Sequence, residues 1–280
     1  MITVKRAGAM GDVIFTSPIV RKLHQQTSRI INVITSYPHV FDGCDYVKTN
    51  ISEISLPFVN LDLAYERRPN MHVIDAYAEE AGIRLSDDEK HITLWYNNNM
   101  PLRNKIDLFL KEYSQKSFVV IHPTVSWPNR TLGTKWWDEL VTILFKNNIL
   151  PVIVGTYVDA ITPSNNILDL RNQLSIQEIA YLIDQSKVFI GFDSGILNVA
   201  GTTSTHIIGI FTHVKAEFRM PYRNGILGSN YTVIKTPLDC YGCHHLQPPP
   251  VTGFSCERND VACIKTIDVN AVVDAALKYF

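Results

Sequence analysis

The chain has 280 residues, 46% of them apolar, with 26 basic against 27 acidic side chains and a net charge of −1. That length allows a sizeable core and two domains, while the balanced charge gives no global attraction to nucleic acid or an anionic membrane. No apolar stretch reaches the length of a spanning helix, and the chain opens on the strand-like run Ile2-Thr-Val-Lys-Arg6 in place of a secretory leader, so a cytoplasmic protein is expected.

Taken in order, short apolar runs predict strands at Ile2–Lys5, Ile30–Ile34, Leu61–Ala64, Phe118–Ile121, Pro151–Val154, Val188–Ile190, His206–Ile210 and Thr232–Ile234. Between them, amphipathic patterns predict helices at Asp12–Gln25, His72–Ala81, Asn104–Tyr113, Thr134–Phe145, Ser175–Asp184, Ser194–Ala200 and Asp268–Lys278. Ser175 with Glu178 forms a capping box. Continuous apolar strands alternating with helices predict an α/β protein whose parallel sheets are covered on both faces. The run Tyr96-Asn-Asn-Asn-Met-Pro101 reads as a linker. It divides the chain into an N-terminal domain, 1–100, and a C-terminal domain, 101–280, that ends in a cysteine-rich knuckle (240–263) and a terminal helix. The basic pairs Lys5-Arg6, Arg21-Lys22 and Arg67-Arg68 read as solvated surface.

Four segments carry chemistry. In Gly8-Ala-Met-Gly-Asp12 a strand meets a helix through a glycine turn. Gly8 and Gly11 let the backbone approach a ligand, and Asp12 is either a helix N-cap or a carboxylate able to take a proton. His122-Pro-Thr-Val-Ser126 directly follows a strand, and with Arg130 it offers Thr124, Ser126 and a guanidinium to a diphosphate. Trp136 and Trp137 read as packing of the following helix. Gly155 ends a strand, with Asp159 four residues on, a loop residue or a partner for ribose hydroxyls. Finally, Val188-Phe-Ile-Gly-Phe-Asp-Ser-Gly195 runs a strand into a helix N-terminus, a seat for phosphate or a plain capped helix start.

In this order the segments resemble glycosyltransferase family 9, the ADP-heptose:lipopolysaccharide heptosyltransferases and their relatives. The resemblance rests on Gly8–Asp12, His122–Ser126 with Arg130, Gly155–Asp159, and Leu170–Ser186 followed by Asp193-Ser-Gly195. It implies the GT-B fold, two Rossmann-like domains with parallel sheets facing a cleft. It also implies inverting transfer of a sugar from a nucleotide-sugar donor without a catalytic metal. Asp12 is then the general base. Gly11, Thr124, Ser126, Arg130, Gly155, Asp159, Asp193, Ser194, Gly195 and Asn198 form the donor side. Arg130 stands where the family usually has lysine, Thr124 where it has glycine, and Asn198 where it often has histidine. The short N-terminal half leaves the acceptor open: a glycan, a protein or a hydroxylated base of modified DNA. An inactive GT-B binding protein is the alternative of another class, disfavoured by the presence of Asp12 and Arg130.

The spacing Cys240-Tyr-Gly-Cys243, then Cys256 and Cys263, suits a structural zinc or iron in a reducing compartment better than disulfides. Cys44 reads as a buried apolar residue.

Overall fold

The computed structural model describes residues 1–50, 54–96, 106–108, 111–112, 117–123, 127–156, 161–223, 225–253 and 255–280. They form two compact units. One comprises Met1–Met100, Glu217–Ser229 and His245–Thr252, the other Pro101–Ala216, Asn230–His244 and Gly253–Phe280.

The first unit is built on four parallel strands, β1 (Ile2–Lys5), β2 (Ile31–Ile34), β3 (Val47–Thr49) and β4 (Phe58–Asn60), in the order β3-β2-β1-β4. Central β1 places Val4 opposite both Val33 and Val59. Ile2, Val4, Ile31 and Val33 on one face and Thr3 and Asn32 on the other are buried, as expected of strands covered on both faces. Helices α1 (Met10–Ile14), α2 (Ser17–Thr27) and α3 (Val73–Glu80) contribute Ile14, Ile19, Val20, Ile74 and Tyr77 to the core.

Here the structure corrects two expectations and adds one strand. The single helix over 12–25 is two helices, parted at Phe15-Thr16, because Pro18 cannot donate a helical hydrogen bond and sits in the first turn of α2. The apolar run Leu61–Ala64 is a turn, not a strand. Leu63 adopts φ 61° and the Ala64 N–H bonds back to Leu61. Leu61 and Ala64 are buried by that turn, and the strand lies just before them. Edge strand β3 has too short and polar a sequence to announce itself.

The second unit has six parallel strands: β5 (Ser117–His122), β6 (Ile149–Ile153), β7 (Leu168–Asp169), β8 (Val188–Phe192), β9 (His206–Phe211) and an edge strand over Tyr231–Lys235. Their order, from that edge, ends β9-β8-β5-β6-β7. Ile121 faces Ile153 and Ile190 in the ladder, and Ile190 faces Ile208. Helices α4 (Thr134–Lys146), α5 (Ile176–Asp184) and α6 (Gly195–Gly201) pack on this sheet. Trp137 and Leu144 of α4 join Ile121, Ile153, Ile190 and Ile208 in one cluster, which also takes in Val272 and Val273 of the terminal helix. Each fully buried aliphatic side chain contributes about 1.5–3 kcal/mol. Trp136 donates its indole N–H to the Ile267 carbonyl. The capping box of α5 forms, Ser175 and Glu178 each accepting the other's backbone N–H. The helix expected over 104–113 lies partly outside the described residues; 106–108 and 111–112 are helical.

The segments that return to the first unit are a short helix, α7 (Ala216–Arg219), which ends in it, and an antiparallel pair, β10 (Tyr222–Arg223) and β11 (Ile226–Leu227). Tyr222 bridges His91, and the Val251 N–H donates to the Glu66 carbonyl at 2.8 Å.

In each main sheet the order of strand addition reverses once. In the first unit β2 and β3 lie on one side of β1 and β4 on the other; in the second the reversal falls between β5 and β8. Ligands of open α/β sheets bind beyond the carboxyl ends of the strands at such points.

Candidate active site

In the first unit the segments leaving β1 and β4 meet. Ala9 holds φ 31° to turn the chain into α1, a conformation that strains a residue with a Cβ. Asp12 follows in the first turn of α1, and its side chain does not cap the helix. Instead its Oδ2 accepts hydrogen bonds from Arg6 Nη2 and from the Tyr65 hydroxyl at 3.2 Å. Gly11 is buried beside it. A Cβ on Gly8 would meet nothing within 4 Å, so space, not close contact, surrounds that position.

Arg6 is not the surface residue its sequence neighbours suggest: it is 5% exposed. Its other bonds go to Glu66 Oε1 at 3.0 Å and to the Leu61 carbonyl at 3.3 Å. It stands over the rings of Tyr65 and Tyr77, with centroids at 5.1 and 5.8 Å. Burial lowers its pKa, but Tyr77, Asp12, Tyr65 and Glu66 more than offset that, so it stays cationic. Arg219, brought in by α7, lies 4.3 Å from the centroid of the Tyr65 ring. Burial, reinforced by Asp12, holds the Tyr65 phenol well above its ordinary pKa, so its hydroxyl keeps its proton and donates.

In the second unit β5 and β8 bring the other candidates together. His122 pairs with Gly191 in the ladder. A Cβ at Gly191 would stand 2.9 Å from Phe189 Cζ and 3.3 Å from the His122 carbonyl, so only glycine fits this close approach. Burial lowers the His122 pKa to about 4, leaving a neutral ring whose Nδ1 is 3.3 Å from Ser194 Oγ. Ser194 is the N-cap of α6, accepting from the Leu197 N–H. Asp193 has a different task. Its carboxylate and carbonyl both accept from Arg130 Nη1, at 3.0 and 2.6 Å. Arg130 also lies over Trp127, at 4.6 Å.

Several polar atoms here are buried with no hydrogen-bond partner among the described residues: Arg130 Nε, Asn198 Oδ1 and both side-chain polar atoms of Asn129. Gly155 follows β6 with φ 122°, accessible only to glycine, and its carbonyl accepts from the Asn172 N–H. Thr124, Ser126 and Asp159 lie outside the described residues.

Cys240, Cys243, Cys256 and Cys263 line a single cavity, together with Asn129, Thr212 and His213. All four are free thiols. Burial and the three neighbouring thiols push Cys243 up to about 11. Among the described residues no group of three or more His, Cys, Asp or Glu is arranged to hold a metal ion. Four thiols are donors of the kind a soft metal takes. Cys44 is buried, as expected.

The family model of glycosyltransferase family 9 (heptosyltransferase) matches residues 51–247. The chain belongs to glycosyltransferase family 9. It is therefore a glycosyltransferase, and the two α/β units are those of the GT-B fold. No curated protein sequence matches it. Among solved structures, a family 9 glycosyl transferase from Veillonella parvula is similar over 99% of this chain and 96% of its own, at 14% identity and a TM-score of 0.71. TibC from enterotoxigenic E. coli, an iron-containing dodecameric glycosyltransferase, matches 99% of this chain and 76% of its own, at 13% identity and TM-score 0.75. The E. coli heptosyltransferase WaaC with ADP matches 100% and 99%, at 11% identity and TM-score 0.58. Among the described residues no helix is long and apolar enough to cross a membrane.

The residues that sequence reasoning missed are Arg6, Tyr65, Glu66 and Arg219. Arg6 carried one signal, its position between a strand and a glycine turn. Tyr65 reaches Asp12 and Glu66 reaches Arg6 through the turn after β4, and Arg219 reaches the Tyr65 ring through the return of α7.

Proposed function

We propose that this glycosyltransferase moves a heptosyl group from ADP-heptose to an acceptor hydroxyl, with inversion and without a catalytic metal. The observation that carries the reading is that Asp12 and the Arg130–Asp193 pair each lie just past the carboxyl ends of strands flanking the reversal in their own sheet. Two similar structures support the donor: TibC is in complex with ADP-D-β-D-heptose, and WaaC is with ADP.

In this reading Asp12 takes the proton of the acceptor hydroxyl as its oxygen attacks the anomeric carbon. The bond from that carbon to the diphosphate breaks, and ADP leaves. Arg130 meets the growing negative charge on the diphosphate, aided by the first-turn N–H groups that follow Ser194. Asp193 keeps the guanidinium in place. Thr124, Ser126, Gly155, Asp159, Gly195 and Asn198 complete the donor side. Calorimetry with ADP-, UDP- and GDP-linked sugars tests the donor. ADP-heptose should bind tightest, and preference for a UDP- or GDP-sugar would overturn the assignment.

We also propose that Cys240, Cys243, Cys256 and Cys263 hold a structural zinc or iron. Their shared cavity supports this. The metal would fasten the loops that carry them and take no part in transfer.

A further inference from the structure

Both partners of Asp12 bind the same oxygen. Arg6 Nη2 and the Tyr65 hydroxyl converge on Oδ2, and among the described residues Oδ1 has no hydrogen-bond partner. The Asp12 side chain is 18% exposed, against 6% for Arg6 and 10% for Glu66, so Asp12 is the most accessible of these three ion-paired groups. We propose that Arg6 and Tyr65 are positioning residues that clamp Oδ2 and so assign the catalytic proton to Oδ1. The inference rests on the reading of Asp12 as the base.

The clamp is itself braced. Arg6 Nη2, which bonds Asp12, also donates to Glu66, while Nη1 donates to the Leu61 carbonyl and the guanidinium lies over the Tyr65 and Tyr77 rings. Arg219 lies on the Tyr65 ring. With Oδ2 occupied by two donors, rotation about the carboxyl torsion breaks both bonds. Oδ1 therefore keeps one direction, and a hydroxyl approaching along it gives its proton there. The oxygen that loses the proton forms the new glycosidic bond, and the electron pair of the broken bond departs on ADP. Tyr65 cannot compete for that proton, because it already holds one. Preorganisation of this kind acts on the transition state and leaves donor binding alone.

The test uses the full chain and ADP-heptose, reading ADP release with water as acceptor, KM for the donor, and crystal structures of the variants. Asp12→Asn should lower kcat at least 100-fold. Tyr65→Phe should lower kcat about 3- to 10-fold and Arg6→Met at least 30-fold, both with donor KM within 2-fold of wild type. Arg6→Lys should recover most of the loss, and Asp12 should turn away from its wild-type rotamer in Arg6→Met. A simple loss of folding would lower the amount of active enzyme without that rotation and without recovery by lysine, and would contradict the clamp. Wild-type kcat in Tyr65→Phe and Arg6→Met beside an inactive Asp12→Asn overturns the clamp alone. An undiminished rate in Asp12→Asn, or no ADP release by the wild type, overturns the reading of base and donor on which it rests.

Discussion

Arg130 grips Asp193 twice through one nitrogen, at the carboxylate and at the backbone carbonyl. The bond to the carbonyl fixes the guanidinium against the turn that starts α6, where a leaving diphosphate is proposed to lie. Charge-assisted hydrogen bonds contribute about 1.5–3 kcal/mol, so Arg130→Ala should weaken ADP binding by roughly 10- to 100-fold. Arg130→Lys should fall between, since it keeps the charge and loses the planar fork. Titration calorimetry reads both. Unchanged ADP affinity in Arg130→Ala would move the diphosphate elsewhere.

Two buried histidines make stability depend on pH. Burial pulls His122 and His72 down to about 4, in His72 against the opposing bond to the Met220 carbonyl. An unfolded chain takes up these protons near 6.5, the folded chain only near 4. The stabilisation is therefore complete above pH 6.5 and is lost as pH falls from there toward 4, by at most about 3 kcal/mol per ring. Urea midpoints across this range should fall for the wild type and fall less for His122→Asn, once its own loss of packing is subtracted. Parallel curves for the two proteins would contradict the assignment.

The four-cysteine cavity gives a third test. Elemental analysis should find about one zinc or iron per chain, and chelation should lower the melting temperature by several degrees. Replacing Cys240 and Cys243 with serine should abolish both the metal and the response to chelator. A metal-free protein with an unaltered melting temperature would contradict a structural metal.

Much of the geometry of the proposed donor side was legible because its residues are close in sequence to strand ends. Val188–Phe192 is a continuous apolar strand, and Asp193-Ser-Gly195 has the composition of a helix start. The roles within that turn were not legible. Two good N-caps stand side by side, and only the ladder that sets β5 beside β8 decides that Ser194 caps while Asp193 holds Arg130. Around Asp12 the sequence was less informative. Arg6 looked like one half of an exposed basic pair because burial depends on Glu66, Tyr65 and Tyr77, all more than 50 residues away. The turn at Leu61–Ala64 misled for a related reason, since burial by a turn and burial in a strand leave the same apolar run. Arg219 was invisible because its path to Tyr65 depends on a segment far along the chain rejoining the first unit.

The central claim is that Asp12 is the base and takes no part in holding the donor. Its most direct test is Asp12→Asn, measured for ADP-heptose affinity by calorimetry and for turnover under the same conditions. The account predicts affinity within about 3-fold of wild type and a rate at least 100-fold lower, since general-base catalysis contributes about 10²–10⁴-fold. Turnover at the wild-type rate, or a loss of donor affinity that accounts for the whole defect, would contradict it.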